Sequence, residues 1–559
     1  MLKKIIFLLV VSCLLSCNTA KQDADLIIHS ATIYTVDSSF SICESMVIKD
    51  GKIIETGTNE VILKKYTAKE TIDAKGKFVF PGFIDAHCHF YGYGKGLQEV
   101  DLVGSKSFDE VIERVKEFTV QHDQTPVIRT TGDGRYIQEI DWIIGRGWDQ
   151  NDWEVKEFPD KKKLDSIFPN TPVILTRIDG HAALVNQKAL DIAGFSVNTK
   201  ISGGEVEIKN GKLTGILIDN AEDSLKKSIS KASYHTIKNA LLNAQENCLA
   251  MGITSVSDAG LDKSVVDAIE KLQKENELFM RVYAMLTPNK ENLEYYLKNG
   301  TLKTDKLTVC SFKFYGDGAL GSRGACLCHE YADKTNWKGF LLNDAAYFER
   351  HAELMNKHGF QMNTHCIGDS AAKVILNIYK KYCSGNDNKR WRIEHAQVLL
   401  KDNFKDFSKN IIPSVQSTHA TSDMYWAADR LGKDRVKLAY AYKDLLNAAG
   451  IVALGTDFPV EDISPFKTFY ASVARKDSKG FPDGGFQKEN ALTREETIKG
   501  MTVWAAYANF EEKEKGSLEK NKFADFVILD TDLMKCTEDK ILNSMVLQTF
   551  IDGKLVYRK

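Results

Sequence analysis

One unit recurs three times along the middle of this chain and restricts its fold more than any other feature. "NCLAMGITSVSDAG", "ELMNKHGFQMNTHCIGD" and "LLNAAGIVALGTDFP" each run helix, glycine, strand, then polar residue. Gly252, Gly359 and Gly450 fit the position just past a helix C-terminus. Soon after each glycine stands Asp258, His365 or Asp457, at the C-terminal end of a strand. Alternating helix and strand predicts a parallel sheet. Polar chemistry gathered at strand C-termini predicts an α/β fold of the distorted (β/α)8 kind, a barrel with its site on that face. A doubly wound open sheet also places its sites at strand ends, but no phosphate-type Gly-rich fingerprint supports it.

The two chain ends read differently. "ADLIIHSATIYTVDSSF" and "SMVIKDGKIIETG" are short strands around an Asp50-Gly51 hairpin turn, and "KFADFVILDTD" with "VLQTFIDGKLVYRK" repeats the style around Asp552-Gly553. A lone hairpin is marginal in water. Residues 24–80 and 490–559 are therefore expected to complete one small composite β-sandwich, with the barrel at 81–489 between them. "SFDEVIERVKEF" opens with a capping-box pattern, Ser107 and Glu110, and reads as a helix of that middle region. The stretch from about 125 to 215 breaks the rhythm with Trp142, Trp148, Trp153 and the turn-rich "ISGGEVEIKNGKLTGIL". It reads as an insertion, either a substrate lid or a surface excursion.

Composition narrows the function. Lys+Arg (74) nearly balances Asp+Glu (76), a formal net charge of -2, which removes the electrostatic argument for nucleic-acid binding. Lys3 and Lys4 precede the apolar run "IIFLLVVSCLL", too short to span a bilayer comfortably and flanked like a secretory signal. The run ends in "LLSC", which resembles the lipobox of bacterial lipoproteins. That resemblance implies a signal peptide over 1–17 with cleavage before Cys17, export, and a lipid on Cys17 as the membrane contact. An ordinary signal peptide and an uncleaved anchor are the alternatives. Setting aside Cys13 and Cys17 leaves an odd number of cysteines at irregular spacings, which gives no disulfide framework.

The chemistry starts at "PGFIDAHCHF". Residues two apart on a strand share a side, so His87 and His89 project together and Cys88 faces away. Two histidines alone do not make a metal site. His365 ends "QMNTH", His395 ends "RWRIEH" and Asp457 ends "IVALGTD", and in a closed barrel these ends converge on one pocket. Neutral imidazoles with a carboxylate suit zinc and its first-row relatives. Lys313, in "LTVCSFKFYGDG", shares a strand face with Val309 and Ser311. Its amine either reaches solvent, pairs with an acid, or sits desolvated with a depressed pKa, in which case carbon dioxide could convert it to a bridging carbamate.

"PGFIDAHCHF", "KFYGDGALGSRGA", "NTHCIGDSA", "RIEHAQ" and "GTDFPV" together resemble the amidohydrolase superfamily, specifically its YtcJ-like branch related to N-substituted formamide deformylases. The resemblance runs from about residue 25 to the C-terminus. It implies metal ligation by His87, His89, carbamylated Lys313, His365, His395 and Asp457, around one or two divalent ions, most simply zinc. Asp457 then resembles the family's proton shuttle. His181 in "RIDGHAALVN" resembles a motif of this branch and either polarises a substrate carbonyl or bonds within its loop. Asp317 and Arg323 bind or frame substrate, unless Arg323 pairs with a structural acid, and His419 in "QSTHATSD" is a further substrate-side candidate. The implied activity is hydrolysis of a non-peptide carbon–nitrogen bond in a small molecule, such as an N-acyl or N-formyl amine. A deaminase or cyclic-amide hydrolase on the same scaffold, and a non-catalytic metal- or ligand-binding lipoprotein, are the competing readings.

Overall fold

The computed structural model describes residues 21–121, 127–130, 136–139, 142–178, 182–201, 204–229, 232–385 and 388–559. At its centre eight parallel strands stand side by side in sequence order: β1 Phe83–Cys88, β2 Ile253–Leu261, β3 Arg281–Leu286, β4 Leu307–Tyr315, β5 Gln361–Cys366, β6 Trp391–His395, β7 Ile411–Gln416 and β8 Ala453–Gly455. Nearly every residue of β3, β5 and β7 is buried, as parallel strands covered on both faces require. The ring is brought together beyond β8, where Asp457 N–H donates to His87 O (2.8 Å) and His89 N–H donates to Phe458 O (2.8 Å). Gly455 permits the approach, since a Cβ there would lie 2.5 Å from His87 N.

Helices Tyr234–Ala250, Lys263–Lys274, Ala345–His358, Asp369–Tyr382 and Tyr442–Ala449 are among the connections between these strands. Gly359 and Gly450 end two of them with left-handed backbones, as the repeat predicts. Leu241, Leu272, Phe348, Leu376 and Leu445 from these helices join Val282, Phe312, Trp391 and Val415 from the strands in one core. The barrel lumen is unusual for its polarity: Ser257, Asn363, Arg392, Glu394 and Ser414 are all fully buried, where branched aliphatic layers are the common filling.

The chain ends form two further sheets. Lys52–Gly57, Ser45–Lys49, Gln22–His29 and Tyr66–Asp73 make one, in that order. In the other, Phe78–Pro81 from the N-terminal side lies antiparallel to Phe526–Leu529 from the C-terminal side. Leu26, Ile28, Met46, Ile48, Val79, Phe526, Ile528 and Phe550 pack together between them.

A separate six-stranded sheet leaves the barrel after β1. It runs Gly204–Lys209, Lys212–Asp219, Ala182–Val185, Val173–Arg177, Ile143–Trp148, Val100–Asp101. The strands of this sheet therefore begin at Val100 and end at Asp219, a wider span than the 125–215 read from the sequence. Helix Phe108–Gln121 belongs to it and not to the barrel ring: Val111, Ile112 and Val115 pack with Val100, Trp148, Trp153 and Leu175.

Candidate metal centre

The ends of β1, β6 and β8 and the start of the helix after β7 bring four of the chain's histidines around one carboxylate. Asp457 Oδ1 lies 3.3 Å from His89 Nε2 and 3.6 Å from His87 Nε2, and its Oδ2 lies 3.3 Å from His419 Nε2. Ligand-capable atoms of His87, His89 and Asp457 fall within 4.8 Å of one another, and so do those of His395, His419 and Asp457. Asp457 is common to both groups. His365 stands beside them, its ring centroid 4.5 Å from that of His395, with Nε2 3.6 Å from Asp317 Oδ1.

The backbone at two of these positions is strained. His395 and Asp457 adopt left-handed conformations, φ 69° and 64°, which side chains bearing a Cβ rarely occupy and which cluster at functional sites. At His395 this turn interrupts the strand alternation. Glu394 and His395, adjacent in sequence, consequently both reach the site.

Each principal ring has its Nδ1 held by an oxygen. His87 Nδ1 is 2.5 Å from Glu394 Oε2, His89 Nδ1 is 3.0 Å from the Ala259 carbonyl, and His395 Nδ1 is 2.7 Å from Gln416 Oε1. An acceptor at Nδ1 fixes the tautomer with the proton there and leaves the Nε2 lone pair facing the pocket, the arrangement typical of metal-ligating histidines.

Electrostatics agree with that assignment. Burial and the neighbouring Lys313 lower the pKa of His87 to about 4 and of His365 to about 3, and burial holds His395 well below its ordinary value. All three rings are therefore neutral at neutral pH. Burial would raise the Asp457 carboxyl, but the surrounding imidazoles, His419 first, hold it well below the usual carboxylate range. His419 is the opposite case. Burial would lower it, yet Asp457 on one side and Glu461 on the other (3.1 Å) raise it to about 10. It stands as a cation between two anions.

Lys313 is buried at the end of β4 with Nζ 2.9 Å from His87 Nε2. Desolvation lowers its pKa to about 8, so about a tenth of the amine is unprotonated at pH 7. Asp317 accepts backbone N–H bonds from Cys326 (2.8 Å), Ile367 (3.0 Å) and Gly368 (2.8 Å), tying the loop after β4 to the end of β5. Arg323 turns to Asp333, donating from Nε (3.1 Å) and from a terminal nitrogen (2.7 Å), the structural-acid pairing. His181 lies outside the described residues. Cys88 is buried in the outer core with Sγ directed at the Ser257 carbonyl (3.6 Å). Glu394, Gln416 and Glu461 were not anticipated from the sequence.

Among the buried atoms of the described residues that have no hydrogen-bond partner, His365 Nε2 and Asp457 Oδ1 border this pocket. Leaving such atoms bare costs free energy, and a cation held between His87, His89 and Asp457 would satisfy the Asp457 oxygen. Neutral imidazoles turned through Nε2 toward an ionised carboxylate form a donor set that fits a divalent metal.

Comparison with known proteins gives the same answer. The sequence profile of the amidohydrolase family matches residues 70–557. YtcJ of Bacillus subtilis (strain 168), itself assigned to the amidohydrolases, is 31% identical over 541 residues, covering 95% of this chain and 99% of that protein. The N-substituted formamide deformylase of Arthrobacter pascens is 24% identical over 580 residues, covering 96% and 99%. Among solved structures, an uncharacterized metal-dependent hydrolase from Pyrococcus horikoshii OT3 superposes with a TM-score of 0.76 at 30% identity, over 92% of this chain and 99% of that one. With its nearly closed parallel barrel and a donor set fit for a divalent ion at the strand ends, this chain belongs to the amidohydrolase family.

Proposed function

We propose that the protein hydrolyses a non-peptide carbon–nitrogen bond of a small molecule, an N-acyl or N-formyl amine in the simplest case, with zinc as its metal. The observation that carries this reading is the placement of Asp457, whose unbonded Oδ1 faces the same space as the Nε2 atoms of His87 and His89. His87, His89 and Asp457 would hold one ion. A divalent ion in such a site lowers the pKa of a water molecule toward about 7 and polarises a carbonyl oxygen.

The chain's own groups do the rest. Asp457, ionised and within reach of the pocket, takes the proton of the attacking water at Oδ1. As the carbon–nitrogen bond breaks, the same carboxyl returns that proton to the departing nitrogen, which leaves as a neutral amine. His419, a cation bridging Asp457 and Glu461, holds the carboxylate in place and offsets the charge of both acids. Lys313, with its lowered pKa, is placed to take up carbon dioxide as a carbamate beside His87. The N-terminal residues complete the proposal: an exported protein held at a membrane by a lipid on Cys17. Among the described residues no helix is long and apolar enough to cross a membrane.

The deciding experiment is an amine-release screen of zinc-loaded protein across N-formyl amines, N-acyl amino acids, dipeptides and cyclic amides. Turnover of the first two classes above the others supports the proposal. Turnover confined to dipeptides or cyclic amides, or none at all, contradicts it.

A further inference from the structure

A fully buried ion pair lies under the metal centre, and neither packing nor stability accounts for it. Arg392 and Glu394, two residues apart on β6, are both 0% exposed, with Arg392 Nε 2.7 Å from Glu394 Oε1. Buried ion pairs are often no more stabilising than the apolar groups that could replace them, because each charge loses its hydration. Their contacts are directional instead. The other Glu394 oxygen is 2.5 Å from His87 Nδ1. Arg392 donates to the Ala86 carbonyl, the residue before His87, and to Ser414 Oγ (2.8 Å) on β7. From below, Asn509 of the C-terminal segment accepts from Arg392 (3.1 Å) through Oδ1 and donates to Ser257 Oγ (2.9 Å) on β2 through Nδ2. One polar column thus runs up the lumen from the C-terminal segment to His87, touching β1, β2, β6 and β7.

We infer that the Arg392–Glu394 pair, braced by Asn509, is the positioning unit of the metal centre, fixing the His87 ring so that Nε2 faces the ion. Glu394 acts on the tautomer and orientation of the ring. Arg392 fixes Glu394 and, through Ala86, the backbone that carries His87. Asn509 links this alignment to the folding of the chain's C-terminal end. The inference rests on the reading of the pocket as a metal site.

The test uses the full chain and zinc alone, with affinity measured by competition against a chelator and folding followed by urea unfolding of the metal-free protein. Glu394→Gln keeps an acceptor but removes the charge, and it should weaken zinc about 10- to 100-fold. It also leaves Arg392 unpaired, so lost stability could mimic the effect. The paired variant Arg392→Met with Glu394→Gln removes both charges and should recover the stability lost in Glu394→Gln. If the pair positions His87, zinc affinity in the paired variant stays at least about tenfold below that of the unsubstituted protein. Recovery of full affinity together with stability would overturn the inference and leave the metal reading intact. No zinc uptake by the unsubstituted protein would overturn both.

Discussion

The composite sandwich and the barrel lumen are both buried, yet they are filled by opposite rules. In the sandwich, Phe526 stacks on Phe550 with ring centroids 4.3 Å apart and planes 9° from parallel, surrounded by Ile28, Ile48, Val79 and Ile528. In the lumen, Arg392, Glu394 and Asn363 are fully enclosed, and both side-chain atoms of Asn363 lack a partner among the described residues. The sandwich gains from area removed from water. The lumen accepts desolvated charge, unpaired polar atoms and left-handed backbone at His395 and Asp457, costs that concentrate where structure serves chemistry. Arg281 joins the two regions, donating to both Asp525 oxygens at 2.6 and 2.9 Å from the base of β3. Stability supplied by the sandwich and the outer core lets the lumen depart from optimal packing.

That contrast breaks if substitutions in the two regions have the same kind of effect. The largest is expected at Asp457→Asn, which keeps a ligand oxygen and the left-handed turn but removes the proton acceptor. Turnover should fall about 10²- to 10⁴-fold with urea unfolding little changed, and turnover within twofold of the unsubstituted protein would refute the shuttle. Phe526→Ala should do the reverse, costing about 3–5 kcal/mol of stability while leaving turnover per folded molecule unaltered. A loss of turnover without a loss of stability there would erase the distinction.

The smallest effect is a pH dependence. His87 and His365 titrate at about 4 and about 3 in the folded chain, against an ordinary value of 6.5. Between those values and 6.5 the unfolded chain binds more protons than the folded one. These two histidines therefore withdraw stability from the metal-free protein as pH drops through that window, by up to about 1.4 kcal/mol per pH unit each, against the opposite contribution of the buried Asp85 and Asp317 carboxyls, both raised to about 7 by burial. His419, raised to about 10, stays protonated in the folded chain while the unfolded ring titrates near 6.5, so its contribution has the opposite sign and is confined to the top of that window. The urea midpoint of chelator-treated protein from about pH 6.5 to 5, compared with that of His365→Asn, isolates the histidine contribution, and identical slopes in the two proteins would place that ring in water.

The sequence carried the barrel because its repeat records a physical rhythm. Helix, left-handed glycine, apolar strand and polar strand end recur in phase, and a closed ring must gather those ends. The positions of His87, His89, His395 and Asp457 follow from that geometry. Glu394 was hidden because strand alternation assigns it the face opposite His395, and only the φ of 69° at His395 turns both to the site. His419 was visible as a strand-end residue, but its grip on Asp457 depends on helix Ser417–Asp423 beginning directly after β7. The inserted body was read too short because Val100–Asp101 is a two-residue strand, which carries no periodicity. Arg323 satisfied Asp333, ten positions away along a loop whose course no local pattern records.

The central claim is that a pocket built around Asp457 holds a divalent ion on which hydrolysis depends. It is tested most directly by amine release from an N-formyl or N-acyl amine using protein stripped by chelator, before and after zinc is returned. The account predicts negligible release from stripped protein and recovery of activity as about one equivalent of zinc or more is bound per chain. Undiminished release from fully stripped protein would contradict it.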